Sequence, residues 1–235
     1  RCHAVLTEGK MKRYPIYFLD ADETLFDFRK AEREGLRKAF AVHGFPFDEG
    51  VLEQYREINE GLWRQLERGE VTKERLQVKR FEELFKERGI AYDPVKMGTE
   101  EYPDALAEGN YLLSGAYEVC RELKKTSTLY LTTNGITRVQ KRRLRESAIA
   151  PFLSGIFVSE EAGAAKPQKA YFDYVLRQIG EPDRADILLV GDSLTSDIAG
   201  AANAGVDSCW LNPEGQPRTG KASPNWEIAD LSELL

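Results

Sequence analysis

Residues 16–25 read IYFLDADETL, and this short stretch decides the fold class. Its four leading apolar residues are typical of a strand that is buried on both faces, as strands are in a parallel sheet. Two aspartates, Asp20 and Asp22, follow where that strand ends. Ligands of parallel α/β sheets bind beyond the carboxyl ends of the strands, so the same stretch predicts where a functional site lies.

Further apolar runs, separated by segments of helical periodicity, predict the rest of the sheet. The predicted strands are residues 16–19, 128–131, 187–190 and 208–211, with a shorter candidate at 156–159. The predicted helices that follow strands or precede them are residues 115–125, 168–179 and 195–204, the last ending at Gly205. This alternation predicts an α/β fold whose core is a Rossmann-like parallel sheet.

Between Phe28 and about Tyr111 the periodicity is helical and no strand pattern occurs. Apolar residues repeat at helical spacing over residues 51–66 and again over 76–85. We therefore predict a discontinuous core domain, residues 11–28 and 111–235, interrupted by an all-helical domain at 29–110. Residues 1–10 precede the first methionine without a periodic pattern, and we interpret them as a leader or a vector-derived remnant.

The composition excludes several classes of protein. The 235 residues carry 33 Lys and Arg against 39 Asp and Glu, a net charge of −6, which argues against a protein that coats nucleic acid. No run approaches the roughly 18 apolar residues of a membrane span. The three cysteines form no CxxC pair. We expect a cytoplasmic monomer or homodimer with no nucleic-acid partner and no membrane partner.

The polar residues at the predicted strand ends suggest a chemistry. Carboxylates from two distant strand ends repel each other unless a cation lies among them, and a set of oxygen donors selects a hard ion such as Mg²⁺. A lysine and a hydroxyl complete a site for a tetrahedral dianion, and one carboxylate can attack phosphorus to form an aspartyl-phosphate. These candidates are Asp20, Asp22, Thr133, Asn134, Lys166, Asp192 and Asp197.

Four segments resemble, in order, the four motifs of the haloacid-dehalogenase-like (HAD) hydrolases. They are LDADETL at 19–25, LTTNG at 131–135, AKPQKAYFDYVL at 165–176 and VGDSLTSDIAGAANAG at 190–205. The helical insert resembles the C1 cap of that superfamily. The segments DADETLF at 20–26 and INEGLW at 58–63 further resemble the pyrimidine 5′-nucleotidases, which act on UMP, dUMP and dTMP. One departure is Glu23, because family phosphatases often read DxDGT with glycine at this position.

The resemblance assigns roles to the residues that match its motifs. It implies that Asp20 is the nucleophile and that Asp22 is the general acid, with the backbone carbonyl of Asp22 as a metal ligand. Phosphate binding would fall to Thr133, Asn134 and Lys166, of which Thr133 and Lys166 would also assist catalysis. The Mg²⁺ ligands implied are Asp20, Asp22, Asp192 and Asp197, the last either binding directly or through a neighbour.

In the cap, three residues of the helical insert are candidates for substrate specificity, namely Asn59, Trp63 and Arg80. An aromatic plane with an amide and a cation could stack on and hydrogen-bond a pyrimidine ring. Trp63 also has the helical spacing of a residue in the cap's own core, and the sequence leaves both interpretations open. By contrast, the basic run Arg138, Lys141, Arg142, Arg143 and Arg145 predicts a solvated helix face.

The implied function is an Mg²⁺-dependent phosphomonoester hydrolase, most specifically a 5′-nucleotidase for pyrimidine nucleoside monophosphates. The partner would be a small phosphorylated metabolite. The alternative is a HAD phosphatase or phosphomutase acting on a sugar phosphate or another small phosphometabolite. A haloacid dehalogenase would share the fold, but that branch lacks the second aspartate of the first motif, so Asp22 argues against it. A dinucleotide oxidoreductase is disfavoured because no GxGxxG follows the first strand.

Overall fold

A computed structural model describes residues 11–235 of the chain. The described residues form two compact units. One combines the residues up to Phe28 with Asn110–Leu235, and the other is Arg29–Gly109.

The first unit is built on a sheet of six parallel strands in the part of the chain that is described. The strands are β1 (Ile16–Asp20), β2 (Thr128–Thr133), β3 (Gly155–Val158), β4 (Ile187–Gly191), β5 (Asp207–Leu211) and β6 (Trp226–Ile228). Their order is β3-β2-β1-β4-β5-β6, so the direction of winding reverses at β1. Such a reversal creates a crevice at the carboxyl end of the central strands, which is where ligands bind in this architecture.

The second unit is helical over its described length. Its helices are α1 (Phe28–Val42), α2 (Glu49–Glu67), α3 (Lys73–Arg88), α4 (Pro94–Lys96) and α5 (Tyr102–Leu106), with a π-helical turn at Met97–Glu101. Asp48 and Thr72 cap the first turns of α2 and α3 by accepting backbone N–H groups. Gly89 ends α3 in the left-handed conformation that favours glycine. Buried faces of α2 and α3 carry the predicted apolar residues, among them Tyr55 and Phe81.

Helices of the sheet unit follow strands or precede them. They are α6 (Ala116–Leu123), α7 (Thr137–Arg145), α8 (Ser159–Ala162), α9 (Lys169–Gln178) and α10 (Ala199–Ala204). A π-helical turn at Leu194–Ile198 leads into α10, and short 3₁₀ turns lie at Ala150–Phe152, Arg184–Asp186 and Leu231–Leu234.

Alternation along β1 divides the core between the two faces of the sheet. Tyr17 and Leu19 belong to the apolar cluster that includes residues of α6, whereas Phe18 belongs to the cluster that includes residues of α9 and α10. Consecutive strand residues point to opposite faces, so a run buried throughout requires apolar cover on both sides. Burial on both faces explains why residues 16–19 of β1 are all apolar.

The chain leaves and re-enters the sheet unit through two segments that lie side by side. The backbone N–H of Asp27 donates to Tyr111 at 3.0 Å, and that of Leu113 donates to Leu25 at 2.9 Å. Between these two bonds, Phe26 and Leu112 form an antiparallel bridge. The insertion therefore begins and ends at adjacent points of the sheet unit.

The predicted parallel α/β core is confirmed, with three local differences. Ser159 begins α8 instead of ending β3, and the predicted last helix begins as a π-helical turn. Strand β6 was not predicted, because its three residues include the charged Glu227 and form no apolar run. Residues 1–10, with the interpretation given to them, lie outside the described part of the chain. Within residues 11–235 no helix is both long enough and apolar enough to cross a membrane.

Candidate functional site

Three carboxylates meet at the carboxyl edge of the sheet. Asp20 is the last residue of β1, Asp192 follows β4, and Asp197 lies in the π-helical turn before α10. One oxygen from each can be chosen so that all three lie within 4.8 Å of one another. Chain segments more than 170 residues apart are thus joined by the pairing of β1 with β4.

Lys166 lies buried among these acids. Its ammonium group donates to Asp20 Oδ1 at 2.6 Å, to Asp197 Oδ1 at 2.7 Å and to the carbonyl oxygen of Thr132 at 3.0 Å. A lysine ammonium has three protons, so these three acceptors use its full donor capacity. Lys166 is therefore fixed in position beside Asp20.

The pKa values of the cluster reflect one cation among three acids. Burial raises the pKa of Asp20 to about 7, with Lys166 acting against this rise and Asp197 adding to it. Burial, and after it the charges of Asp20 and Asp197, raises the pKa of Asp192 to about 8. For the Lys166 ammonium, burial acts to lower the pKa, but the two carboxylates it contacts outweigh burial and hold the pKa above its ordinary value. The cluster has more negative charge than Lys166 neutralises.

Close packing at the end of β4 sets the position of Asp197. Gly191 has no side chain, and a Cβ there would lie 2.2 Å from the Asp197 carboxyl group. The backbone N–H of Ser193 donates to Asp197 Oδ2 at 3.2 Å, so both carboxylate oxygens have donors. On the other side, the indole N–H of Trp210 in β5 donates to the carbonyl oxygen of Asp192 at 2.7 Å. Strand β5 thereby orients the loop that carries Asp192.

Thr133, the last residue of β2, presents its hydroxyl in a defined direction. The hydroxyl oxygen accepts the N–H of Gly135 and an amide proton of Gln140, both at 3.0 Å. A hydroxyl has two acceptor positions and one proton. With both acceptor positions filled, Thr133 can offer only its O–H proton, as a phosphoryl oxygen requires.

Asn134 connects the end of β2 to Lys166. Its side-chain N–H donates to the carbonyl oxygen of Lys166, and its side-chain oxygen accepts the backbone N–H of Lys166, both at 2.9 Å. These paired bonds hold the backbone of Lys166 in place. A role for Asn134 in phosphate binding stays a prediction.

Asp22 is held in a tight loop beyond β1. The backbone N–H groups of Leu25 and Phe26 donate to the carbonyl oxygen of Ala21 at 3.0 and 2.8 Å. Glu23 has a φ of 61°, in the left-handed region, and its N–H donates to the carbonyl oxygen of Phe26 at 2.8 Å. The loop therefore reverses within one residue of Asp22.

Two residues of α7 contact the Asp22 carboxylate, and the sequence analysis missed both. Gln140 donates to Asp22 Oδ2 at 2.6 Å, and Arg143 donates to Asp22 Oδ1 at 2.5 Å. The prediction that Arg143 belongs to a solvated face was wrong, because its side chain is fully buried. Its guanidinium lies 4.8 Å from the ring centre of Phe26, which replaces water by an aromatic face. The neighbouring apolar Val139, four residues before Arg143, was the sequence signal for a buried face.

The donor set at the sheet edge suits Mg²⁺. Carboxylate oxygens are the ligands that hard cations prefer. Burial is the main cause of the raised pKa values of Asp20 and Asp192, and neighbouring carboxylates add to it. A divalent cation would neutralise the negative charge of these carboxylates. Among the described residues, the side chains of Asp20, Asp192 and Asp197 lie close enough together to hold one ion.

In the helical unit, two of the three specificity candidates are buried and bonded to each other. Arg80 Nη1 donates to Asn59 Oδ1 at 3.3 Å, and the Arg80 guanidinium lies 4.8 Å from the ring centre of Tyr102. Burial raises the pKa of the nearby Glu32, although Arg56 donates to this carboxylate at 2.7 Å. Trp63 on α2 is partly exposed.

Comparison with known proteins agrees with this fold. The haloacid dehalogenase-like hydrolase family matches residues 14–205, and the chain belongs to this family. The Bacillus subtilis (strain 168) protein YfnB is 40% identical over 224 residues, which is 95% of each chain. Its crystal structure, described as bound to magnesium, aligns with a TM-score of 0.90 and covers 95% of this chain and 97% of YfnB.

Two further relatives have names that state a substrate class. The pyrimidine 5′-nucleotidase YjjG of Escherichia coli (strain K12) is 35% identical over 217 residues, 92% of this chain and 94% of its own. The pyrimidine 5′-nucleotidase PynA of Streptococcus pneumoniae (strain ATCC BAA-255 / R6) is 33% identical over 223 residues, 94% of each chain. The resemblance to this subgroup therefore extends over nearly the full length of the chain.

Proposed function

We propose that this hydrolase is an Mg²⁺-dependent phosphomonoesterase that acts through an aspartyl-phosphate on pyrimidine nucleoside 5′-monophosphates such as UMP, dUMP and dTMP. The observation that carries the proposal is the arrangement at the sheet edge. Buried Asp20 lies beside Lys166 and near Asp192 and Asp197, while Asp22 stands two residues further along the chain. The substrate class is supported by the two pyrimidine nucleotidases to which the chain is similar.

In the first half of the reaction, a carboxylate oxygen of Asp20 attacks phosphorus. The bond from Asp20 to phosphorus forms as the bond to the ester oxygen breaks, and Asp22 gives its proton to the departing oxygen. The positive charge of Lys166 and the O–H group of Thr133 would offset the negative charge of the phosphoryl oxygens. Offsetting that charge is the main requirement of phosphoryl transfer.

The second half of the reaction releases phosphate. A water molecule attacks phosphorus, the Asp22 carboxylate takes a proton from that water, and the bond to Asp20 breaks. This step returns Asp20 to a carboxylate and Asp22 to an acid. Asp20 and Asp192 would hold Mg²⁺, which supplies further neutralisation of phosphoryl charge. Asp197 already accepts hydrogen bonds at both oxygens, so we assign it chiefly to holding Lys166.

Substrate choice is assigned to the helical unit, with Asn59, Trp63 and Arg80 as its specificity residues. Asn59 and Arg80 are buried and Trp63 is partly exposed, so Trp63 is our candidate for stacking on the base. Base stacking on an aromatic side chain is worth roughly 1–3 kcal/mol in nucleic-acid systems. Trp63→Ala should therefore raise KM for dUMP about tenfold while leaving KM for a phosphate without a base nearly unchanged.

The test of the proposed function is phosphate release from a panel of monophosphates that includes pyrimidine and purine nucleotides, sugar phosphates and 4-nitrophenyl phosphate. Activity should require Mg²⁺, disappear in chelator and fall by a factor of about 10³ or more in Asp20→Asn. Near-native activity of Asp20→Asn would overturn the mechanism. If a sugar phosphate exceeds every nucleotide in kcat/KM, the nucleotidase assignment fails and the phosphatase assignment stands.

A further inference from the structure

Asp22 is contacted by two side chains whose positions are themselves fixed. Gln140 and Arg143 stand three residues apart on α7, so both lie on the same face of that helix. Together they donate to both carboxylate oxygens of Asp22. A carboxylate held at each oxygen by a different donor cannot rotate freely about its terminal bond, so its direction is defined.

The orientation of the Gln140 amide follows from its neighbours. Arg143 Nη1 donates to Gln140 Oε1 at 3.2 Å, and a guanidinium can only donate. The amide oxygen must therefore face Arg143, which turns the NH₂ group toward Asp22 Oδ2 and Thr133 Oγ1. One amide thus connects the proposed acid to the residue proposed to contact the phosphoryl group.

The surroundings show that this position for Gln140 is built into the fold. A Cβ at Gly135 would lie 2.2 Å from Gln140 Nε2, so the loop after β2 has room for the amide only because residue 135 is glycine. Arg143 is fully buried, and burial of an arginine is unfavourable unless its charge is paired. Its pairing with Asp22 and its aromatic neighbour Phe26 meet this requirement.

From this geometry we propose that Arg143 and Gln140 are positioning residues for Asp22, which fix the direction in which Asp22 delivers and takes the proton. This inference rests on the proposed function and adds the residues on which its acid–base step depends. Neither residue has to touch the substrate. Their effect on the rate passes through Asp22, and that dependence distinguishes them from residues that only stabilise the fold.

The first measurement compares leaving groups. The substrates are 4-nitrophenyl phosphate, whose leaving oxygen needs little protonation, and the alkyl phosphate that the wild-type protein hydrolyses best. General acid catalysis is typically worth 10²–10⁴-fold, so Arg143→Met should lower kcat for the alkyl phosphate at least about tenfold more than kcat for the aryl phosphate. KM should change little for either substrate, and Arg143→Lys should recover part of the loss. Equal losses on both substrates overturn the inference.

The second measurement is a double-mutant cycle. In a protein that carries Asp22→Asn, adding Arg143→Met should change kcat for the aryl phosphate by less than about twofold, because residues that act through one group are not additive. A merely structural role predicts that the loss from Arg143→Met persists in that background. The matched control is Arg145→Met, which removes an equal charge from the same helix at a side chain that is 73% exposed. It should retain wild-type kinetics on both substrates.

Arg143 is buried, so Arg143→Met can fail to fold, which thermal unfolding would show. Gln140→Met then carries the test, since methionine keeps the length of the side chain and cannot donate to Asp22. It should show the same leaving-group dependence, with an added rise in KM because Gln140 also contacts Thr133. Equal losses of kcat on both substrates in Gln140→Met overturn the inference. A wild-type protein that releases phosphate from no monoester instead overturns the proposed function, so the two failures are distinguishable.

Discussion

Glu23 shows how one residue can carry strain at a functional loop. Its φ of 61° lies in the region where L-residues are disfavoured by roughly 1–2 kcal/mol, while glycine adopts it freely. The sequence showed only that glutamate stands where family phosphatases often have glycine. The structure supplies the physical reason for that glycine, because the chain must reverse immediately after Asp22.

Glu23→Gly should therefore stabilise the protein. Relief of the left-handed strain is partly offset by the greater freedom of glycine in the unfolded chain, so we expect a gain of about 0.5–1 kcal/mol in the free energy of unfolding. Urea denaturation measures it. Glu23→Ala is the matched control, since it removes the carboxylate but keeps the Cβ. An equal gain in Glu23→Ala would assign the effect to the side chain and contradict the backbone explanation.

At the same scale, the sequence located the acids of the site but not the residues that orient them. Asp20 ends β1 and Asp192 directly follows β4, and the apolar runs of the two strands reveal these positions directly. The contacts of Gln140 and Arg143 with Asp22 depend on how α7 packs, and the apolar Val139 signals only that this face is buried, not what it contacts. A basic run has the same composition whether one of its arginines is buried in an ion pair or all are solvated.

At the scale of elements, the end of β4 packs closely against the turn that follows it. The predicted strand was confirmed, and so was the position of α10, but the π-helical turn at Leu194–Ile198 was not predicted. Its extra residue per turn has no sequence signal comparable to apolar periodicity. Asp197 lies in that turn, packed against Gly191.

Gly191→Ala should disturb this arrangement. The new Cβ would lie 2.2 Å from the Asp197 carboxyl group, which must move and would loosen Lys166. A misplacement of about 1 Å can reduce the rate about 10²-fold, and we expect a loss of that order in kcat/KM. Steady-state kinetics and calorimetric titration with Mg²⁺ would check it.

Gly155→Ala is the matched control for that substitution. Gly155 also lies in a strand of the sheet, but its added Cβ would meet only the Tyr130 ring at 3.4 Å, an ordinary contact. Activity should be retained. If both alanine variants lose activity equally, the loss comes from the sheet and not from Asp197.

The balance of charge at the sheet edge affects the stability of the whole molecule. With pKa values raised to about 7 for Asp20 and about 8 for Asp192, the folded chain holds protons that the unfolded chain, with an ordinary value of 3.8, has released. The free energy of unfolding therefore falls as pH rises from about 4 to about 8. Mg²⁺ competes with those protons for the same oxygens, so its stabilising effect should grow across the same range.

We expect the increase in Tm caused by Mg²⁺ over chelator to be small at pH 5 and to reach its maximum above pH 8. Thermal unfolding at several pH values, with and without Mg²⁺, measures it. In chelator at pH 8.5, Asp192→Asn should be more stable than the wild-type protein, because it removes one of the repelling charges. An Mg²⁺ effect of the same size at every pH would contradict these pKa shifts.

Residues 25–27 and 111–113 lie side by side, so the helical insert between them can be exchanged as one block. Residues that leave the sheet unit and residues that return to it are bonded to each other, so the inserted block can change in length or sequence without pulling the strands apart. Closing a loop twice as long adds only about 0.6 kcal/mol, which makes such exchange nearly neutral for the sheet. Recombination at these two points would join the same sheet unit to a different helical insert. Inserts from relatives could be grafted experimentally at the same junctions.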